Sequence, residues 1–350
     1  MAYQYRGNIH IHSSYSDGSG TVLQIAKAAE KAGLDFVIIT DHRNLTGYDN
    51  GEEGYYGKTL VLIGSEINWN KNHYLGLGIS QVVPDNEESP QEVIDGVNEQ
   101  GGLGFIAHPF EKASYLFDDG KTYPWDNWKV TGYSGVTVWS LASQWKGELT
   151  GVLRALYISL INPHLITKNG PDEETIRKWD QLLKERLVVG IGCSDAHAIK
   201  MGKSPLTFTA LDYYYSFRCV NTHVLLEHKL TGDLKKDKSL VYQALGTGNC
   251  FFSYDYFKNP QGFNFTGKSK GQEVPMGGRG RAEEGLVVRL PNTNSLVMLR
   301  RNGKEISRKV TARGIMFFGN LTPGVYRVEV YHKHWFGYRA WIYSNPIYLE

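Results

Sequence analysis

The sequence predicts an α/β fold: a distorted barrel over about residues 1–245, followed by a small all-β region. Three observations carry this. Apolar, strand-like runs alternate with amphipathic helices through the first two thirds of the chain. Those runs end, one after another, in His, Asp or Glu, and β/α barrels keep their functional groups at the carboxyl ends of the strands. From Phe251 onward the helical periodicity disappears and short strands alternate with turns.

The first strand lies in Asn8-Ile9-His10-Ile11-His12-Ser13-Ser14-Tyr15-Ser16-Asp17-Gly18. Side chains alternate faces along a strand. A strand ending near His12 therefore turns His10 and His12 one way, and Ile9 and Ile11 the other. The Ser- and Gly-containing stretch that follows is turn chemistry. Two imidazoles at a strand end, with the Asp17 carboxylate on the next loop, outline a metal site. Two surface histidines are the plain alternative.

A helix is predicted over 21–31, with Val22, Ile25, Ala26 and Ala29 on one face, Thr21 as cap and Gly33 behind it. The apolar run 36–39 suits a strand buried on both faces and ends in Asp41-His42. Residues 60–63 lead to Glu66. After a polar turn at 68–72, His73 opens another strand. That gap is too short for a crossover helix, so the strand should run back antiparallel and begin where Glu66 ends. Ser89-Pro90-Gln91-Glu92 predicts a capping box with Pro at the first helical position. The run 103–107 ends in His108, 135–139 carries no obvious ligand, and 188–193 leads into Asp195 and His197. Further helices are expected near 149–160 and over 172–186, the second capped by Asp172. No Gly-x-Gly-x-x-Gly turn follows the first strand, which argues against an open doubly wound sheet.

Strands in the last third are predicted at 251–256, 262–266, 286–290, 295–301, 315–318, 325–332 and 340–343, with Asn302-Gly303 as a hairpin signal. So many short strands in so short a segment suggest a β-sandwich packed against the barrel.

Composition limits the function classes. With 41% apolar and 21% charged residues the chain reads as soluble and globular. A net charge of +2, without a basic block or acidic tail, gives no nucleic-acid footprint. No apolar leader or membrane-length run is visible, so no membrane partner is expected. Cys193, Cys219 and Cys250 are widely spaced and read as reduced core residues of a cytoplasmic protein.

The strand-end residues are His10, His12, Asp17, His42, Glu66, His73, His108, Asp195 and His197. Nine ligands exceed the needs of one ion. Mixed nitrogen and oxygen donors suit two or three ions of Mn, Fe or Zn better than Ca. Glu66 is the residue nominated to bridge a metal pair.

His-Ile-His with its following Ser-Asp-Gly, Ile-Thr-Asp-His, Gly-Ser-Glu-Ile, His-Tyr-Leu-Gly-Leu, Ala-His-Pro and Cys-Ser-Asp-Ala-His resemble, in order, the motifs of the PHP family. These are the polymerase and histidinol phosphatase metal-dependent phosphoesterases. The resemblance spans residues 8–197. It implies a distorted (β/α)7 barrel over residues 1–248, with two or three divalent metals held at its carboxyl-terminal face by the nine residues. Asp17 stands where many members have a histidine. The remaining residues, 249–350, resemble the Ig-like β-sandwich domains appended to bacterial PHP hydrolases of carbamate-hydrolase-like type, not the polymerase-linked members.

The function implied is hydrolysis of a phosphate ester (EC 3.1) by metal-activated hydroxide, on a small and anionic substrate. Glu66, Asp195, Asp41 and Arg43 are the candidate catalytic residues. The alternatives are a carbamate, amide or carboxylic ester hydrolase on the same metals, or a glycan- or partner-binding protein acting through the β-domain. Asp41 could protonate a leaving group, or it could hold an imidazole or a loop. Arg43 could grip a substrate anion, or it could be a solvated loop charge. His164, with Lys168 nearby, is a further anion candidate. His223 and His228 read as structural, and His332 and His334 as strand-face residues.

Overall fold

The architecture is taken from a computed structural model that describes residues 2–203, 206–291, 294–311, 314–335 and 337–350. The first part of the chain runs β1 (Tyr3–Ile9), α1 (Val22–Ala32), β2 (Phe36–Ile39), α2 (Thr46–Asp49), β3 (Gly54–Tyr56), β4 (Thr59–Ile67), β5 (Tyr74–Leu77), α3 (Pro90–Glu99), β6 (Leu103–Ile106), β7 (Gly135–Ser140), α4 (Leu141–Glu148), α5 (Val152–Leu156), α6 (Glu173–Leu182) and β8 (Val189–Cys193). A hairpin of β9 (Ile199–Lys203) and β10 (Leu206–Ala210) follows, then α7 (Tyr213–Phe217), β11 (Val220–Leu226), α8 (Leu234–Thr247) and β12 (Cys250–Tyr254). The remaining elements are strands apart from one 3-10 turn at Ala282–Glu284: β13 (Asn264–Ser269), β14 (Gln272–Val274), β15 (Arg279–Gly280), β16 (Leu286–Arg289), β17 (Ser295–Arg301), β18 (Lys304–Thr311), β19 (Ile315–Phe318), β20 (Gly324–His334), β21 (Gly337–Ser344) and β22 (Ile347–Leu349).

One mixed sheet runs through the molecule in the order β15-β22-β20-β21-β12-β11-β1-β2-β4-β5-β6-β7-β8. β1, β2 and β4 are parallel; β5 runs antiparallel to β4, as expected from the short turn before it. β6 reverses again, and β7 and β8 are parallel to it. The carboxyl ends of β1, β2, β4, β6 and β8 and the start of β5 therefore share one end of the sheet. At that end the far strand comes back to the first. Ile11 bridges Ala196 in parallel, and the His12 amide donates to the Ala196 carbonyl at 2.9 Å. Thr222 Oγ1 of β11 accepts from the Gly192 amide and donates to its carbonyl, at 3.0 and 2.7 Å.

The period of the strands divides the core. Ile9, Phe36, Ile38, Leu60, Leu62, Phe105 and Ile191 face one apolar cluster. Val37, Ile39 and Val61 face the other side, against Val22, Ile25, Ala26 and Ala29 of α1. That helix carries the expected capping box, with Thr21 and Gln24 bonded reciprocally, and Gly33 closes it in the left-handed region. Burial of Val22 and Ile25 alone stabilises its docking by about 1.5–3 kcal/mol each.

β12 lies between β11 and β21, so the strands after residue 250 extend the sheet of the first half. A second sheet, β14-β13-β16-β19, covers the C-terminal strands. Phe263, Phe265, Leu286 and Val288 pack there with Val297, Val328, Trp341 and Ile347. Among the described residues, no helix is long and apolar enough to cross a membrane.

Four local expectations are corrected. β1 ends at Ile9, because His10 turns into the left-handed region at φ 66°. Ser89 makes no side-chain cap; the Glu92 carboxylate accepts from Asn86 at 2.9 Å instead. The single helix expected near 149–160 is the short α5, continued by a wide π turn over Tyr157–Ile161, and α4 precedes it where none was predicted. The β9–β10 hairpin and β3 were also not anticipated.

Candidate metal centre

The site is built from loops that leave one end of the sheet. After β1, the Ser13 amide and hydroxyl both donate to Asp41, at 2.7 and 2.6 Å, and the Ser16 hydroxyl donates to it at 2.6 Å. The Gly18 amide then returns to the Ser13 carbonyl at 3.0 Å. A Cβ on Gly18 would stand 2.0 Å from the His12 carbonyl oxygen, so only glycine permits this fold-back. The result brings Asp17 to His197, His12 and His42, at 3.3, 3.6 and 3.6 Å. His10, His108 and Asp195 all sit at positive φ, at 66°, 24° and 52°. Such backbone costs about 1–3 kcal/mol per residue and persists only where the surroundings over-determine it.

Glu66, on β4, is the centre of the arrangement. Its Oε2 faces His10, His12 and His42 nitrogens at 2.8, 3.2 and 3.4 Å. Its Oε1 faces His73 and His108 at 2.7 and 3.2 Å. Asp195 Oδ1 stands 3.3 and 3.4 Å from His10 and His12. All nine residues converge in three overlapping groups: His12, Asp17, His42 and His197; His10, His12, Glu66 and Asp195; and Glu66, His73 and His108. Within each group the ligand atoms lie within 4.8 Å of one another.

The electrostatics are those of packed opposites. Burial alone would raise the Glu66 and Asp195 carboxyls, but His10 and the other imidazoles hold both well below the usual range. Burial pushes His42 down to about 3 and lowers His10. In His12 and His108 burial is outweighed by the neighbouring carboxylates, and His108 rises to about 9. A test of fit to metal lies in the ring nitrogens. His12 Nε2 and His42 Nδ1 are buried beside Glu66 and have no hydrogen-bond partner. Unpaired buried nitrogen is costly, and coordination to a cation satisfies it. Imidazole and carboxylate donors together match divalent transition metals. The residues present fit such ions.

The two remaining candidates lie apart from the three groups. Both Asp41 oxygens are taken up by Ser13 and Ser16, so Asp41 holds the loop that carries His12 and Asp17. Arg43 is half-exposed, with its guanidinium 4.8 Å from the Trp69 ring centroid and 3.4 Å from Asp85. Cys193 is fully buried on β8. Partners that orient metal ligands are typically worth ~10–100-fold in metal affinity. Asp41→Asn is therefore expected to weaken metal binding by about that factor in a titration while the melting temperature stays near normal. Unchanged affinity would assign Asp41 no part in holding the loop.

Above the cluster opens a cleft of about 680 Å³. Seven of the nine residues line its floor, and Trp69, Phe117, Tyr123 and Trp145 form aromatic walls. The same walls hold a buried ion pair that sequence reasoning missed, Lys146 Nζ to Glu111 Oε1 at 2.7 Å. Glu111 stands three residues after His108, a spacing that could have flagged it. Lys146 and Tyr123 carry no motif.

Fold and site together define an α/β protein with a histidine- and carboxylate-rich centre suited to divalent ions. The chain belongs to the PHP family: the model of the PHP domain matches residues 8–193. An uncharacterized protein of Methanocaldococcus jannaschii, MJ1587, is 33% identical over 118 residues, covering 30% of this chain and 68% of that one. The DNA polymerase/3'-5' exonuclease PolX of Bacillus subtilis is 38% identical over 48 residues, which is 14% of this chain and 8% of that one. Among solved structures, a two-domain protein of Bacteroides vulgatus containing a predicted PHP-like metal-dependent phosphoesterase superposes with a TM-score of 0.43 at 15% identity, over 99% of this chain and 95% of that one. An amidohydrolase of Chromobacterium violaceum gives 0.32 at 13% identity, over 55% and 87%.

Proposed function

We propose that this chain is a metal-dependent hydrolase of phosphate esters. The observation that carries the reading is Glu66, whose two oxygens face separate histidine sets beneath an open cleft. His10, His12, Asp17, His42, Glu66, His73, His108, Asp195 and His197 would hold two or three divalent ions of Mn, Fe or Zn, with Glu66 shared between them. Divalent ions, when bound, lower the pKa of water and offset charge on phosphoryl oxygens. The chain's own residues do the rest. Carboxylates and imidazoles fix the reacting centre, and Trp69, Tyr123 and Trp145 exclude water around the leaving group. The substrate is read as a small anionic molecule with an apolar leaving group, which the aromatic walls suit; the net charge of +2 without a basic block favours it over nucleic acid. The parallel bridge between Ile11 and Ala196 supports reading the first 248 residues as a distorted seven-stranded barrel, with 249–350 as a β-sandwich on its flank. Three buried free cysteines support a reducing, cytoplasmic setting.

The test is elemental analysis of the full chain, together with aryl phosphate monoesters, phosphodiesters and aryl carbamates assayed with Mn, Fe and Zn. Two or more ions per chain and turnover of an aryl phosphate are expected. Protein that never holds more than one ion would end the multinuclear reading. Turnover of carbamates alone would replace the phosphoester.

A further inference from the structure

A second cluster of basic side chains lies where the sheet of the first half meets the C-terminal strands. Arg339 and His332 are cross-strand partners of β21 and β20, so their side chains leave the same face of the sheet. Both are buried, at 6% and 1% exposure. Among the described residues, Arg339 has no carboxylate within ion-pair distance. Its Nη2 donates to the His164 carbonyl and the Thr167 hydroxyl, but its Nε has no partner. His332 Nδ1 lies 3.2 Å from the Lys333 carbonyl, which assigns the ring proton to Nδ1; Nε2 is buried and unpartnered. Two orphaned nitrogens, one on a permanent cation, thus share one face.

One further cation, Arg218, and the imidazoles of His164 and His334 surround them. The Phe257 ring lies 5.0 Å from the Arg339 guanidinium, 4.6 Å from the His334 ring and 4.9 Å from the His164 ring. Tyr256 packs on His164 at 3.9 Å and carries Arg218 on its face at 4.4 Å. Arg218 likewise has no ion pair among the described residues. Asp255, which follows β12, turns away and accepts from Asn221, Ser253 and His223. Burial, then the charges of Arg339 and Arg218, push His164 down to about 4, as expected where positive charge lacks a counter-ion. A buried guanidinium without an anion is expensive, because its hydration is lost and nothing replaces it. Cation–π contact returns only part of that cost.

We propose that Arg339, His332 and Arg218, with His164 and His334 at the rim, form a binding site for a compact oxyanion of the phosphate class, separate from the metal centre. The Arg339 Nε–H supplies a charge-assisted donor; burial, with the charges of His334 and Arg339, pushes His332 down to about 4, so its Nε2 becomes a second donor only by taking up a proton with the anion. This inference does not depend on what the metal centre hydrolyses.

The probe is inorganic phosphate, titrated into the metal-stripped full chain by calorimetry and followed by ³¹P resonance. Without metal the catalytic cluster keeps six imidazoles beside three carboxylates, and phosphate held there would bind wild type and the folded variants alike. The wild type should bind one phosphate, and Arg339→Gln should weaken it by about tenfold or more, the scale of one lost charged hydrogen bond. Arg218→Gln, at a partly buried residue on the rings of Tyr214 and Tyr256, should weaken it several-fold, and Arg43→Gln should leave it unchanged. If Arg339→Gln does not fold, Arg218→Gln and His334→Gln decide. Undetectable phosphate binding at millimolar concentration, or equal binding by wild type and the folded variants, overturns the site.

Discussion

Glu66→Gln is expected to give a folded protein that has lost most of its metal and nearly all its turnover. The substitution keeps the size of the side chain and one oxygen, and removes the charge. That charge is shared: Oε2 serves His10, His12 and His42, and Oε1 serves His73 and His108. A residue common to two of the three ligand groups cannot be lost from one alone. Metal-based stabilisation of a transition state is worth several kcal/mol, so kcat/KM should fall by about a thousandfold or more. The fold should survive, because β4 is held by parallel pairing to β2 and antiparallel pairing to β5, independent of the carboxylate. Elemental analysis, melting and kinetics on the same preparation decide it. Near-normal turnover at full metal occupancy would contradict a shared carboxylate.

Much of this site was legible in the sequence, for a specific reason. A ligand at a strand end follows an apolar run of fixed period, so His42, Glu66, His108 and Asp195 each came marked by the four or five residues before them. The antiparallel start of β5 at His73 followed from loop length alone. The manner in which His10 and His12 converge was not legible. Alternation along a strand would have turned both imidazoles to one face, whereas a left-handed residue at His10 ends the strand and the loop does the work. A side chain that favours the ordinary region gives no sign that its backbone will be forced elsewhere by the bridge to Ala196. Lys146 and Tyr123 were invisible for a different reason. They come from a helix and a loop whose approach to the cleft depends on tertiary packing, and neither position has a local pattern. At Ser89 the capping box is replaced: the Glu92 amide donates to the Ser89 carbonyl, while Asn86, three residues earlier, accepts from the Ser89 amide and donates to the Glu92 carboxylate.

Deleting residues 249–350 should abolish soluble, metal-competent protein. The sequence suggests a β-sandwich packed against the barrel, and the contacts describe a shared structure. β12 fills the place beside β11, all of whose residues are buried, so deletion turns an interior strand into a bare edge. Asn345 donates to the Gly190 carbonyl at 2.9 Å and accepts from its amide at 2.8 Å, in the strand that leads to Asp195 and His197. Arg327 reaches Asp180 of α6 through two bonds of 2.6 and 2.7 Å, and both residues are buried. Removing one partner of a buried ion pair typically costs about 3–5 kcal/mol. Phe252, Tyr254, Ala340 and Tyr343 share one apolar cluster with Trp139 and Trp179. Loss of a single buried aromatic side chain costs about 3–5 kcal/mol, against a total stability of about 5–15 kcal/mol for a typical domain. The losses together exceed what the remaining chain can supply. Residues 1–248 expressed alone should therefore aggregate, or melt far below the full chain with metal content reduced. A monomeric fragment with unchanged melting temperature and unchanged kcat/KM would show instead that the C-terminal strands are a tethered module, and that β8 is held in place by the first half alone.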